Sequence, residues 1–356
     1  MTDDRFRVGE TQSADFIRST LERAAEAAKA SVGATMRLGP VDVRVQDVSG
    51  RQSAGLIDRM FRAAKAASTN EPAARMDLIV SIGADGPLGA PPPIWPFAID
   101  SRESFQRTCW SPGDGLALTS DEQTGVWNLM DVRRKVGLLW IADPQSLPSW
   151  EYGAPLRHHF HWLALQSGAS LVHAAAFLSP SGGMLLTGPG GSGKSTTTVA
   201  ALAAGWKIIG EDLCWAEAGG DEIVVRGVYS SLKATAQSRS AYPFVDAIVR
   251  SHDHEDFEKT LVYLDGDVAI TAAERMKGIF CLSGAFAATT TIRPCSKAVA
   301  FQLLAPSTLF LMRTSGAETV AILRKLIDRL PAFHVTLGAD PREAIDVLGQ
   351  FAGNMQ

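Results

Sequence analysis

The stretch GPGGSGKSTTT, residues 188–198, constrains the fold of this chain more than any other feature. It follows the apolar run MLLT and precedes the alanine-rich run VAALAAG, which predict a buried strand before it and a helix after it. Gly188, Gly193, Lys194 and Ser195 match the pattern GxxxxGK[ST]. Glycines allow backbone N–H groups to surround an anion, and the positive end of the following helix attracts it. The sequence therefore predicts a phosphate-binding loop.

The residue types of this loop predict a nucleoside triphosphate and Mg²⁺ as its ligands. The Lys194 ammonium would reach the β- and γ-phosphates, and the Ser195 hydroxyl would bind the metal. The predicted nucleotide-binding residues are Gly188, Gly190, Gly191, Ser192, Gly193, Lys194, Ser195 and Thr196. A flexible Gly/Ser connection is the alternative, but the flanking strand and helix patterns both agree with the motif. The loop alone does not separate ATPases, GTPases, transporters and kinases.

Two acidic residues follow the predicted helix, at the end of the short apolar run in WKIIGED. Glu211 and Asp212 thus stand where a strand ends beside the loop. Two carboxylates in such a place can divide their work, since one can hold magnesium while the other accepts a proton from an attacking hydroxyl. A solvated turn is the alternative interpretation.

The segment from Leu171 to Trp215 resembles the catalytic core of HPr kinase/phosphorylase and of the wider HPr kinase-like group, which includes the kinases that modify lasso peptides. In that family a histidine on a strand precedes the loop, and an acidic pair follows the lysine after one short helix. Here His173 stands 21 residues before Lys194, and Glu211 stands 17 residues after it.

The resemblance implies phosphoryl transfer from ATP to a hydroxyl, with Mg²⁺, on a fold similar to that of phosphoenolpyruvate carboxykinases. It places Glu211 at the position of the general base, which is normally an aspartate. Asp212 would contribute to magnesium binding together with Ser195, and His173 would orient or polarise the acidic pair. The catalytic residues implied are therefore Glu211, His173 and Lys194. Because HPr kinases are oligomers, the resemblance also implies a homo-oligomer.

Several further residues are candidates of a weaker kind. Arg226 and Lys233 are predicted to contact the acceptor or a phosphate, the alternative being solvated charges on a strand. The run HHFH at 158–161 suggests a metal site or, alternatively, packing at a domain interface. The ligand-rich segment 252–259 suggests a mobile loop that could border the acceptor site.

The length of 356 residues predicts two domains. We expect an α/β fold in which residues 1–150 form a separate α+β domain that selects the acceptor. Residues 151–356 would form the P-loop catalytic domain. Within these, the patterns predict a helix over 14–31, single strands over 36–48 and 171–179, a hairpin turning at 121–125, and a closing helix capped by Asp340.

Composition excludes other classes of protein. A net charge of −4 gives no basic excess, so nucleic acid is not the expected partner. The four cysteines form no CxxC pair, which argues against a zinc site or a disulfide framework. The acidic start, MTDDRFRVGE, is unlike a signal peptide, and no apolar run would span a bilayer. We therefore expect a cytoplasmic protein.

The sequence thus predicts an ATP-dependent kinase whose acceptor is a hydroxyl, that of a serine in a peptide or small protein. Two alternatives remain open at this stage. One keeps the chemistry and changes the acceptor to a small-molecule, sugar or lipid alcohol. The other is a nucleotide-dependent regulatory module without transfer activity, although such a module would need the loop and not the two acids.

Overall fold

The computed structural model describes residues 4–49, 55–61, 72–93, 106–111, 114–147, 149–218, 220, 222–245, 255–256, 259–264, 272–312 and 315–355. The elements of the first half are α1 (Asp4–Ala28), β1 (Ala34–Leu38), β2 (Val41–Asp47), α2 (Leu56–Met60), β3 (Ala74–Ile82), β4 (Gln106–Ser111), β5 (Leu116–Asp121), β6 (Val126–Asp131), β7 (Val136–Ile141), a 3-10 turn (Pro144–Ser146) and α3 (Ser149–Gly153).

The second half continues with α4 (Arg157–Gln166), β8 (Ala169–His173), β9 (Ala175–Ser179), β10 (Gly182–Thr187), α5 (Lys194–Ala203), β11 (Lys207–Gly210), β12 (Leu213–Glu217), β13 (Val224–Gly227), β14 (Ser231–Thr235), α6 (Ala236–Ala241), β15 (Glu255–Asp256), β16 (Lys259–Tyr263), β17 (Ala273–Ala287), β18 (Thr291–Pro294), α7 (Lys297–Leu311), α8 (Gly316–Arg329), β19 (Ala332–Gly338) and α9 (Pro341–Gly353). This is a mixed α/β structure, as the sequence predicts.

The first sheet has the strand order β1-β2-β3-β7-β6-β5-β4. The pairs β2–β3 and β3–β7 are parallel, and the others are antiparallel. Its central strands are apolar on both faces because both faces are covered. Helix α1 packs Ile17 against Trp127 and Leu138 on one face, while Met130 and Leu139 join a core shared with α4 on the other.

The second sheet has the order β11-β9-β10-β17-β13-β12-β8, with β19 beside β17 and β18 beside β19. Strands β10, β17 and β19 run parallel, so their carboxyl ends meet at one edge. Helices α5 and α9 cover one face through Val199 and Leu348, and α7 and α8 cover the other through Leu304 and Leu323. A ligand is expected at the carboxyl edge of such a sheet.

A small antiparallel sheet, β14-β16-β15, packs beside helix α5. Its register pairs Lys233 with Leu261 and Thr235 with Lys259. Residues paired across an antiparallel ladder lie on the same face, so both lysines project from one face of this sheet. Val262 projects from the other face into the core that includes α5.

Helix α4 lies between the first and second sheets, and its residues 157–164 are all buried. Arg157 forms a buried ion pair with Glu151, with Nη1 and Oε1 2.7 Å apart. One continuous hydrophobic cluster contains Phe160 of this helix together with Val43 of the first sheet and Trp215 of the second. The domain boundary near residue 150 stays a prediction, since side chains from both sides of it share this cluster.

Two segments expected to be single strands are each two strands. Residues 36–48 form the β1–β2 hairpin, because Gly39 takes a φ of +56° and turns the chain. Residues 171–179 divide at Ala174, where the chain changes partners: β8 pairs with β12, whereas β9 pairs with β10 and β11. The break is invisible in the sequence because the apolar residues continue through it.

Other predicted elements are confirmed. The predicted helix over 14–31 is present as α1, which begins ten residues earlier at Asp4 and ends at Ala28, and the β5–β6 hairpin turns over 122–125. The side chain of Asp340 accepts a hydrogen bond from the Arg342 N–H at 2.9 Å and caps α9. Within the described ranges, none of the helices has the length and apolarity needed to cross a membrane.

Candidate functional site

The predicted phosphate-binding loop connects β10 to α5, as the flanking patterns require. Two of its glycines are sterically necessary. A Cβ on Gly188 would lie 2.8 Å from the Leu282 carbonyl oxygen, and a Cβ on Gly193 would lie 2.6 Å from Cδ1 of Leu337. Gly193 also takes a φ of +100°, a conformation that other residues rarely adopt. By contrast, Gly190 has open space around it.

The side chain of Lys194 folds back on the loop. Its Nζ donates to the carbonyl oxygens of Gly188 at 2.8 Å and Pro189 at 3.2 Å, and only 8% of the residue is exposed. Burial lowers the pKa of Lys194, while the nearby carboxylates of Asp212 and Glu211 act in the opposite direction. The loop therefore contains a buried cation whose hydrogen-bond partners are carbonyl groups of the loop itself.

Glu211 lies directly after β11 and is linked to the loop. The Ser195 hydroxyl donates a short hydrogen bond to its Oε1, and 5% of Glu211 is exposed. Burial raises the pKa of Glu211, and the adjacent negative charge of Asp212 raises it further, against the hydrogen bond from Ser195. Glu211 is therefore the carboxylate of the pair with the higher affinity for a proton.

Asp212 is held by two partners. His173 Nε2 lies 3.0 Å from its Oδ1, and Lys233 Nζ lies 3.3 Å from its Oδ2. Burial acts to raise the pKa of Asp212, but the charge of Lys233 and the hydrogen bond with His173 outweigh it and hold that pKa well below its usual range. Since 33% of its side chain is exposed, Asp212 presents an ionised carboxylate to the open side of the site.

His173 ends strand β8 and is fixed by its backbone as well as its ring. Its N–H donates to Oγ1 of Thr308, a fully buried residue of α7, at 3.0 Å. Its Nδ1 is buried and has no hydrogen-bond partner among the residues that the structure describes. Sequence analysis did not identify Thr308, because this residue lies 135 positions from His173 and belongs to no motif. The helix that carries it has the apolar sequence of a core helix.

The structure thus brings together most of the predicted site. The residues that meet at the loop are Gly188, Ser192, Gly193, Lys194, Ser195, Glu211, Asp212, His173 and Lys233. Lys259 joins them from segment 252–259, since its charge influences the pKa values of Lys194 and Glu211. Residues 252–254 and 257–258 of that segment lie outside the described residues.

Arg226 is not part of this group. It lies on β13, where its Nε and Nη2 donate to the two carboxylate oxygens of Glu217 at 2.6 and 3.2 Å. The Trp215 indole donates to the same carboxylate at 3.1 Å. Glu217 thus occupies the guanidinium of Arg226 in a bidentate ion pair. Glu217 is the last residue of β12, whereas the acidic pair directly precedes the first residue of that strand.

The histidines of residues 158–161 have packing contacts. His159 Nε2 lies 3.2 Å from the Leu129 carbonyl oxygen, and His161 Nε2 lies 3.0 Å from Oγ1 of Thr319. A Cβ on Gly137 would lie 2.7 Å from the His159 ring, so β7 touches this helix. Burial lowers the pKa of His159 to about 4 and that of His161 to about 3. Across the described part of the chain, no group of three His, Cys, Asp or Glu side chains could hold a metal.

The residues at the loop fit a nucleoside triphosphate and Mg²⁺. At Gly190 and Gly191 nothing lies within 4 Å of the position that a Cβ would take, so the loop backbone is open there to an approaching anion. Ser195, Glu211 and Asp212 supply hydroxyl and carboxylate oxygens, the hard donors that Mg²⁺ prefers. Mg²⁺ is bound in such sites by few protein groups together with phosphates and water.

A cavity of about 520 Å³ lies elsewhere, on the first sheet. It shares no residue with the glycine-rich loop, and its lining includes the ion pairs Arg44–Asp77, at 2.8 Å, and Arg75–Asp42, at 3.9 Å. The lining residues are Thr35, Asp42, Arg44, Arg75, Met76, Asp77, Arg134 and Lys135.

Comparison with known proteins yields a weak structural similarity. Neither a protein-family model nor a curated protein matches the chain. Among solved structures, the HPr(Ser) kinase/phosphatase from Coxiella burnetii is similar with a TM-score of 0.28 and 8% sequence identity, over 51% of this chain and 94% of that one. A similarity of this size carries no argument about activity, which must come from the site.

Proposed function

We propose that this chain is an ATP-dependent kinase that transfers the γ-phosphate to a hydroxyl group, that of a serine in a peptide or small protein. The observation that supports it is the hydrogen bond from Ser195 to Glu211, which joins the glycine-rich loop to the acidic pair. A protein that only bound a nucleotide would need the loop and one carboxylate for Mg²⁺, but not a second carboxylate of raised proton affinity beside it.

The loop would bind the triphosphate. Lys194 would exchange the carbonyl oxygens of Gly188 and Pro189 for phosphate oxygens, and its burial would strengthen the attraction because the local dielectric is low. When bound, Mg²⁺ supplies positive charge that offsets the charge developing on the transferred group. Ser195 and Asp212 would hold it, since Asp212 remains ionised between His173 and Lys233.

Glu211 would accept the proton of the acceptor hydroxyl. As that oxygen bonds to the γ-phosphorus, the bond from the γ-phosphorus to the β–γ bridging oxygen breaks and ADP leaves. A general base must reach its proton and bind it well enough, and Glu211 is the acid of the pair with the higher proton affinity. His173 would act through Asp212, the carboxylate that it contacts, as a positioning residue.

The decisive experiment is incubation with γ-labelled ATP, Mg²⁺ and two sets of acceptors, serine-containing peptides and small alcohols. Wild type is compared with Lys194→Ala and Glu211→Gln. Lys207→Ala, an exposed lysine at the start of β11, and Glu217→Gln are the matched controls. We expect transfer by wild type and both controls, and its loss in the two site variants. Equal transfer by Glu211→Gln and wild type would overturn the assignment of the base.

A further inference from the structure

Strand β17 continues beyond the core and runs beside the phosphate-binding loop. Leu282 is fully buried, whereas residues 284–289 are all exposed. Residues 283–290, here named the projecting segment, extend past Cys281, the last residue that β17 pairs with β10, and remain paired with β19 at Phe286 and Ala287. The segment therefore stands next to the place where the loop would bind an anion.

Phe286 lies in this segment and borders the loop. Its Cε1 lies 3.7 Å from the position that a Cβ on Gly193 would occupy, and it is paired with Leu337 in the β17–β19 register. The residue is 61% exposed, which makes it one of four large apolar residues that are exposed within the described ranges. An aromatic ring thus faces solvent immediately beside a phosphate-binding glycine.

The projecting segment is fixed at both ends. Gly284 has a φ of +75°, and a Cβ on it would lie 3.6 Å from Cγ of Pro189, so the segment follows the surface of the loop. At the other end, the Thr290 N–H and hydroxyl donate to the Glu343 carboxylate at 2.9 and 2.6 Å. The Gly338 N–H donates to the Thr290 hydroxyl at 2.8 Å. Phe286 is therefore held in place without being covered.

We propose that Phe286 is the platform on which the base of the bound nucleotide stacks. The inference rests on the proposed function, since it assumes that the loop holds a triphosphate. The ribose ties the base to the phosphates, so a nucleotide bound at the loop must place its base on the surface beside it. Bases stack favourably on aromatic side chains, and stacking is tolerant of base identity.

Calorimetric titration in the presence of Mg²⁺ measures the contribution of the base to affinity separately from that of the phosphates. Adenosine 5′-(β,γ-imido)triphosphate (AMP-PNP) carries both parts, whereas inorganic tripolyphosphate carries only the phosphates. We expect Phe286→Ala to weaken AMP-PNP binding about 5- to 150-fold, the range of aromatic stacking, and to leave tripolyphosphate binding unchanged. Phe286→Tyr should restore AMP-PNP binding, and the thermal unfolding midpoint should be the same in all three proteins.

The proposal would be overturned by equal AMP-PNP affinity of Phe286→Ala and wild type, or by an equal loss for both ligands, which would place Phe286 at the phosphates. A loss confined to the KM for the acceptor would likewise assign the ring to the acceptor. Lys194→Ala tests the proposed function separately, and this variant should lose affinity for both AMP-PNP and tripolyphosphate. If Lys194→Ala binds both as wild type does, the nucleotide site itself is wrong, whatever Phe286 does.

Discussion

The hydroxyl of Ser195 donates a hydrogen bond to Glu211, so the glycine-rich loop and the acidic pair form one connected site. The two residues are 16 positions apart, and helix α5 together with β11 returns the chain to the same edge of the sheet. Asp212, the next residue, turns instead toward His173 and Lys233. Neighbouring acids therefore have separate partners, and substitutions can distinguish their roles.

Substitution of Glu211 should impair phosphoryl transfer, whereas substitution of Asp212 should impair the binding of Mg²⁺. Glu211→Gln should reduce transfer by about 10²- to 10⁴-fold, the usual contribution of a general base, while Mg²⁺-dependent AMP-PNP binding persists. Asp212→Asn should instead raise the Mg²⁺ concentration needed for binding, because it removes the carboxylate that stays ionised. Transfer rates and nucleotide titrations over a series of Mg²⁺ concentrations measure both. The same Mg²⁺ requirement in both variants would contradict this division.

Lys233 and Arg226 provide a matched pair of cations on β14 and β13, which are consecutive in the chain and belong to different sheets. Lys233→Met removes a partner of Asp212 and should lower kcat/KM about 5-fold, the size of one partly exposed ion pair. Arg226→Met removes a partner of Glu217 and should leave kcat/KM unchanged. Steady-state kinetics with labelled ATP tests this contrast. Equal losses would return Arg226 to the acceptor or phosphate contacts expected from the sequence.

Folding stability should depend on glycine at position 193 of the loop but not at position 190. Gly193→Ala brings a Cβ to 2.6 Å from Leu337 at a φ of +100°, and should lower the free energy of unfolding by about 1–3 kcal/mol. Gly190→Ala meets no atom within 4 Å and should change it by less than about 0.5 kcal/mol. Urea unfolding measures the difference. A stable Gly193→Ala protein would show that Leu337 can give way.

The buried histidines of α4 should make the protein sensitive to acid. Their pKa values are lowered from 6.5 to about 4 at His159 and about 3 at His161, so below pH 6.5 the unfolded chain binds protons that the folded chain does not. Their contribution is therefore intact above pH 6.5 and is lost as the pH falls toward 4, by about 1.4 kcal/mol per pH unit for each histidine.

His161→Gln tests this pH dependence, since an amide can still bond with Thr319 but does not titrate. The variant should flatten the slope of unfolding free energy against pH between 6.5 and 4. The free energy of unfolding is measured by urea titration at half-unit pH intervals. An unchanged slope would mean that His161 is protonated in the folded protein.

The local part of the site was predictable from the sequence. The glycine pattern, its flanking strand and helix, and the acids after β11 are all encoded within 30 residues, where local geometry leaves few alternatives. The residues that reach the site from distant segments were not predictable from the sequence. Thr308 behind His173 and Phe286 beside Gly193 reach the loop only through the pairing of sheet strands and the packing of α7.

The prediction of the boundary between β8 and β9 was wrong for a related reason. Residues 174–178 are all apolar and follow His173 without a turn residue, so no alternation marks where β8 ends and β9 begins. The division matters for the site, because it places His173 at a strand end rather than in the middle of a ladder. Only the pairing of β8 with β12 reveals it.

Helix α4 touches Gly137 of the first sheet through His159, and it packs along β8, the strand that ends in His173. A single helix therefore contacts both β7 of the first sheet and the strand of the second sheet that carries a residue of the candidate site.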